Sequence, residues 1–177
     1  MTLPLKAPVL SYKDIGELAE TFLSHYNNNE TLPVPIDNII ETHFDIDIVP
    51  FPNLLRNYGI DGFINSELNT IYIDLYIFDN IPNRYRFTLS HEIGHLILHK
   101  EFMKEIRPLS IKDWKEKLCS IDDAEYSWFE WQANTFAGMI LVPMKYLKDD
   151  FDRYIVKYSK KIGEVKKKNI PFDIFRD

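Results

Sequence analysis

The chain reads as α+β: a single compact domain in which a small antiparallel or mixed sheet packs on helices. Three observations predict this. Two segments, RFTLSHEIGHLILHK and SWFEWQANTFAGMILVP, carry apolar residues at helical spacing, and between Tyr58 and Leu75 the pattern switches to alternation, with Ile71, Ile73 and Leu75 set against Tyr72 and Asp74. The length of 177 residues suits one domain that buries roughly 70% of its unfolded surface. The composition, 45% hydrophobic and 14% aromatic, belongs to a folding chain rather than a disordered one.

Taken in order, a helix is expected near 12 to 28 and a short one from about 36 to 44 after Pro35. A strand should follow through Ile46, Ile48 and Pro50-Phe51. Tyr58 to Leu75 reads as two strands around a turn at Asn65 to Asn69, with Gly59 and Gly62 easing the strand geometry. Next comes the helix containing His91-Glu92-Ile93-Gly94-His95, whose Leu89, Ile93, Leu96 and Ile97 form a stripe to be buried. Ser110 to Asp113 signals a further short helix, about 111 to 118, carrying Trp114. Trp114, Trp128 and Trp131 read as packing residues.

The pentapeptide HEIGH carries the chemistry. On a helix, residues four apart point within about 40° of each other one turn along, so the rings of His91 and His95 can reach one metal ion. Glu92 lies about 60° from His95, near enough to touch a water on that metal without being a ligand, which is the position of a general base. Zinc held by few protein ligands keeps a position open and brings the pKa of its water to roughly 7. Metal-assisted hydrolysis is the reaction class implied. Buried histidines also need partners, because an unpaired buried polar group is costly.

The third ligand decides the kind of site. A metzincin would need Gly at 98 and His at 101, where this chain has Leu98 and Glu101. His99 is read as structural, one turn beyond His95 on a helix that continues, and too far along the axis to share a metal with His91. Glu130 is the better candidate: Glu130, Ala133, Asn134, Ala137 and Leu141 share one helix face, and the two alanines permit close approach to the HEIGH helix. Asn134, one turn on, could accept the outer ring N–H of a ligand histidine.

The run RFTLSHEIGHLILH, followed by ExxANxFA and a terminal LVP, resembles the ImmA/IrrE metallopeptidases of bacteria and their mobile elements. Upstream segments ELAETFLSHYN, LPVPIDNIIETHFDIDIVPF and GFINSELNTIYIDL are similar in order to that family. The resemblance implies a zincin-like domain with zinc on His91, His95 and Glu130 and with Glu92 catalytic. It further implies peptide cleavage, with a helix-turn-helix repressor of a mobile element as the narrower substrate. Departures are Gln132 where many members have a second acidic residue, Met139-Ile140-Leu141-Val142-Pro143 in place of the commoner ending, and no amino-terminal helix-turn-helix. The rival reading is a module that retains zinc and grips a regulator without cutting it.

Composition bounds the rest. Cys119 is the single cysteine, so no internal disulfide is possible, and nothing beside it in sequence activates it as a nucleophile. His25 and His43, far from the motif in sequence, read as ordinary surface or core histidines. Residues 1–144, the expected metallopeptidase domain, sum to −10, whereas 145–177, a basic helical extension, sum to +4. There Ile155, Tyr158, Ile162 and Val165 have the spacing of an amphipathic helix with solvated lysines. A net charge of −6 argues against direct nucleic-acid binding. With no apolar run of signal or membrane-spanning length, a cytoplasmic, membrane-free protein is expected. The hairpin also offers a candidate edge for pairing with an extended peptide.

Overall fold

A computed structural model describes residues 8–106 and 122–167 of the chain. The expected helix near 111 to 118, with its Ser110 to Asp113 start and Trp114, and Cys119 lie outside the described residues. Two compact units are present, one ending at Leu141 and the other starting at Val142.

The first unit opens with α1 (Tyr12–Tyr26). Its start is set by Ser11 and Asp14, each side chain accepting the other's backbone N–H, which satisfies two of the donors a helix leaves free at its beginning. Ile15, Ala19 and Phe22 are its buried stripe. Helix α2 (Ile36–Ile39) continues into a π-helical turn, Ile40–Phe44, that ends at Asp45 in the left-handed region with φ 54°. The expected short helix at 36 to 44 is therefore present, with a widened second half.

Strand β1 (Asp47–Phe51) leads to a short helix, α3 (Leu54–Tyr58), then β2 (Gly62–Ile64) and β3 (Thr70–Asp74). The sheet order is β1-β3-β2, with β1 and β3 parallel and β2 and β3 antiparallel, so it is mixed. Asn65 builds the hairpin turn by accepting the backbone N–H groups of Asn69 and Thr70. Two details differ from the sequence expectation. Leu75 is the first residue of a helix, α4 (Leu75–Asn80), rather than the end of a strand, and α3 occupies a stretch with no periodicity long enough to register. The agent in both cases is Asp74. Its buried carboxylate accepts N–H bonds from Tyr76 and Ile77, starting α4, and from Leu55, holding α3.

Helix α5 (Pro82–Leu98) carries the HEIGH motif, and its Pro82 stands where a helix leaves N–H groups unpaired anyway. Arg84 clamps the Asp61 carboxylate beside β2, and Arg86 donates to the carbonyl of Val34 at 2.6 Å. Leu89 and Ile93 are fully buried, as is Gly94 on another side, so the helix is indeed enclosed on two sides. It does not run on past His99 as expected. His99 leaves helical geometry at φ −128° and ψ 19°, and a separate helix, α6 (Lys100–Ile106), begins after it.

Helix α7 (Asp123–Leu141) packs along α5 with Ala133 and Ala137 fully buried. The approach is close because Gly94 has no side chain: a methyl there would come within 3.1 Å of the Ala133 carbonyl oxygen. Phe136 of α7 meets Phe22 of α1 edge to face at 5.8 Å, so α1, α5 and α7 share a core that includes the isoleucines of the sheet. The fold is α+β and zincin-like, with a three-stranded mixed sheet beside the HEIGH helix.

The second unit is dominated by α8 (Met144–Lys167), a helix over the stretch expected to be helical and basic. Leu147, Phe151, Tyr154 and Ile155 are exposed along it. No helix among the described residues is long and apolar enough to cross a membrane.

Candidate metal centre

Neighbouring turns of α5 bring the Nε2 atoms of His91 and His95 to 2.9 Å from each other. Glu130 of α7 faces both, with Oε2 at 3.3 Å from His91 Nε2 and Oε1 at 3.6 Å from His95 Nε2. One ligand atom from each of the three residues lies within 4.8 Å of the others. The three expected ligands are thus together, and among the described residues His25, His43 and His99 are not part of the group.

Whether these residues suit a metal ion follows from what their atoms can do. Asn134 Oδ1 stands 3.0 Å from His91 Nδ1, and a carbonyl oxygen only accepts, so the ring carries its hydrogen on Nδ1. In the neutral ring Nε2 is then a bare lone pair aimed at a carboxylate and at a second imidazole nitrogen. Acceptors facing acceptors repel unless a positive charge sits among them. A proton or a metal cation supplies it, and two nitrogens with one carboxylate oxygen is a donor set that zinc takes. The residues therefore fit the group the motif implies.

The electrostatics agree. Burial alone would lower the His91 imidazole, but its hydrogen bond to Glu130 and the charges of Glu92 and Glu130 outweigh burial and raise it. Burial would likewise raise the Glu130 carboxyl, and the imidazoles of His91 and His95 that face it instead hold it well below the usual carboxylate range. His95 goes the other way, lowered to about 4 by burial and then by the charge of His91. Its ring is neutral at neutral pH, as a metal ligand must be.

Glu92, next to His91 on α5, reaches toward β2 while staying close enough to His91 and Glu130 to feel their charges. It is 5% exposed, and Oε2 accepts the backbone N–H of Ile64 at 3.0 Å. Burial pushes its carboxyl up to about 7, the range a group needs to take and return a proton near neutral pH. The Ile64 bond has a second consequence. In the antiparallel ladder Asp61 and Asn65 bond toward β3, so Gly62 and Ile64 direct their polar groups away from it. All three residues of β2 are buried, and a methyl on Gly62 would meet Thr88 of α5 at 2.8 Å. β2 thus ends the sheet, the position that the expectation of a peptide-pairing edge requires, and its outward Ile64 N–H is taken up by Glu92 of α5.

Two polar residues that the sequence reading left out of the chemistry stand directly behind the site. His99 Nδ1 is 3.0 Å from His95 Nδ1, and His99 Nε2 is 3.3 Å from Gln132 Oε1. Both are almost fully buried, and Phe129 stacks against the rings of His95 and His99 at 4.2 and 4.3 Å. The signal available in sequence was the third histidine at the same four-residue spacing. Trp128 and Trp131, expected to pack, stack on one another at 4.6 Å with about a third of each exposed.

No curated protein matches the chain. Residues 44–168, well over half of its length and all of the HEIGH and Glu130 segments, match the family model for peptidase M78, the IrrE N-terminal-like domain. With two histidines and a glutamate converging behind that match, the chain belongs to the M78 family of IrrE N-terminal-like metallopeptidases.

Proposed function

We propose that this chain is a zinc-dependent endopeptidase in which His91, His95 and Glu130 hold the metal, Asn134 orients His91, and Glu92 is the general base. The observation that carries the reading is the convergence of three acceptor atoms on one point beside a buried carboxyl held near neutrality. Zinc bound there would supply Lewis acidity, polarising the scissile carbonyl and acidifying water. Glu92 takes a proton from the attacking water on its carboxylate and delivers it to the departing amine nitrogen, so the residue ends the cycle as it began. The Ile64 N–H bond keeps that carboxylate in one orientation between the two transfers. Asn134 keeps the His91 hydrogen on Nδ1 and its Nε2 free.

For the substrate, we propose a protein of the cytoplasm, with a helix-turn-helix regulator of a mobile element first, on the strength of the family resemblance. The test is incubation of the chain with a repressor encoded beside it, the Glu92→Gln variant serving as control. Cleavage by the native chain alone supports the assignment. Equal cleavage by both sinks Glu92 as the base, and tight binding without cleavage by either favours a module that grips its regulator. A His91→Ala protein that keeps full stoichiometric zinc overturns the ligand set.

A further inference from the structure

Behind His95 runs a chain of hydrogen bonds that ends on a main-chain carbonyl, and its direction is determined by its last member. Pro8 contributes a carbonyl oxygen, which can only accept. Gln132 Nε2 donates to it at 2.8 Å, so the amide of Gln132 is oriented and its Oε1 faces His99. An amide oxygen again only accepts, which puts the hydrogen of His99 on Nε2 and leaves His99 Nδ1 as a bare lone pair. That lone pair is 3.0 Å from His95 Nδ1, which must therefore carry the hydrogen. His95 Nε2 is then bare on the side facing His91 and Glu130.

Resting on the reading of His95 as a metal ligand, we infer that His99 and Gln132 are positioning residues that set the tautomer of His95. They do for His95 what Asn134 does for His91, through one additional ring. The inference concerns where a neutral ring keeps its hydrogen, not whether it gains one. Two features make the device specific. Neutral imidazole has one donor and one acceptor nitrogen, so reversing His99 reverses His95 as well. The rings also lie against Phe129, which leaves little room for them to turn away and find other partners. The break of α5 at His99 belongs to the same arrangement. The ring of His99 sits behind His95 while its backbone has already left the helix, and its N–H still bonds to the His95 carbonyl.

The test uses the full chain. In metal-free protein at pH 8, long-range proton–nitrogen correlation NMR should show His95 with its hydrogen on Nδ1 and His99 with its hydrogen on Nε2. Gln132→Leu removes the acceptor that holds the chain in one direction. It should introduce the opposite tautomer at His95 and weaken zinc binding, measured by competition with a chromogenic chelator, by roughly 10- to 100-fold. Gln132→Glu loses the donor to Pro8 but keeps an acceptor facing His99, so it should retain the native tautomers and lose less affinity than Gln132→Leu. The native-protein spectrum decides the matter even if Gln132→Leu fails to fold. His95 carrying its hydrogen on Nε2 overturns the inference, as does undiminished zinc affinity in Gln132→Leu. A native chain that takes up no zinc while showing the expected tautomers counts instead against the metal-centre reading, leaving the direction of the hydrogen-bond chain intact.

Discussion

Replacing Glu92 by glutamine should stabilise the metal-free protein at alkaline pH and leave it unchanged in acid. The side chain is 5% exposed, and burial raises its carboxyl from 4.5 to about 7. A carboxyl whose folded pKa lies above its unfolded value binds its proton more tightly in the folded state. Stability is therefore greatest below 4.5, declines as pH climbs through 7, and is flat beyond. At 1.36 kcal/mol per pH unit the loss is about 3 kcal/mol. Glutamine has nearly the same shape, keeps an oxygen for the Ile64 N–H, and does not titrate over this range. The native and Glu92→Gln proteins should thus unfold alike near pH 4, whereas at pH 8 the variant should melt roughly 10 °C higher for a unit of this size. Circular-dichroism melts in excess chelator across that pH range would measure the difference curve. Zinc should narrow the gap, because a cation nearby favours the ionised carboxylate. A difference that does not vary with pH, or a variant less stable at pH 8, would refute the argument that Glu92 is ionised there at a cost.

Other consequences follow from individual contacts. Asn134→Ala removes the acceptor of His91 Nδ1 and should weaken zinc binding roughly 10- to 100-fold by chelator competition; unchanged affinity would show that the 3.0 Å bond does not orient the ring. Asp74→Ala strips three backbone N–H groups of one buried carboxylate and should cost about 3 kcal/mol in urea unfolding, a loss below about 1 kcal/mol contradicting its role in starting α4 and holding α3. Gly62→Ala would place a methyl 2.7 Å from the Tyr72 carbonyl oxygen and 2.8 Å from Thr88, so a destabilisation of about 2–4 kcal/mol is expected, and a neutral result would mean that β2 and α5 separate easily. Saturating zinc at about a thousand times its dissociation constant should stabilise the chain by about 4 kcal/mol, and no effect of zinc on the melting temperature would remove the metal site altogether.

The parts of the site legible in sequence are those written in helical periodicity. His91, Glu92 and His95 are related by the geometry of a single turn, and any helix carrying HEIGH presents them in this way. Glu130 and Asn134 were legible one step further, because four residues separate them on a second helix whose alanines allow close approach. The two short helices around β1 and Asp74 were not legible, since each depends on one buried carboxylate collecting N–H groups from the segments that follow two different strands. The same limit applied to the β2 edge: alternation identifies a strand but does not say which neighbour lies beyond it.

Gln132 and His99 mark the boundary most clearly. In sequence, the first is a departure from a family pattern and the second a histidine one turn too far from His91 to share its metal. Their role depends on a carbonyl 124 positions away, that of Pro8, which orients one amide and thereby the rings that follow it. Local spacing determined which side chains could meet a metal, because helix geometry is set by the backbone alone. Only the tertiary structure decided how their hydrogens are arranged, because a ring nitrogen or an amide takes its donor or acceptor role from whichever atom the fold places opposite it.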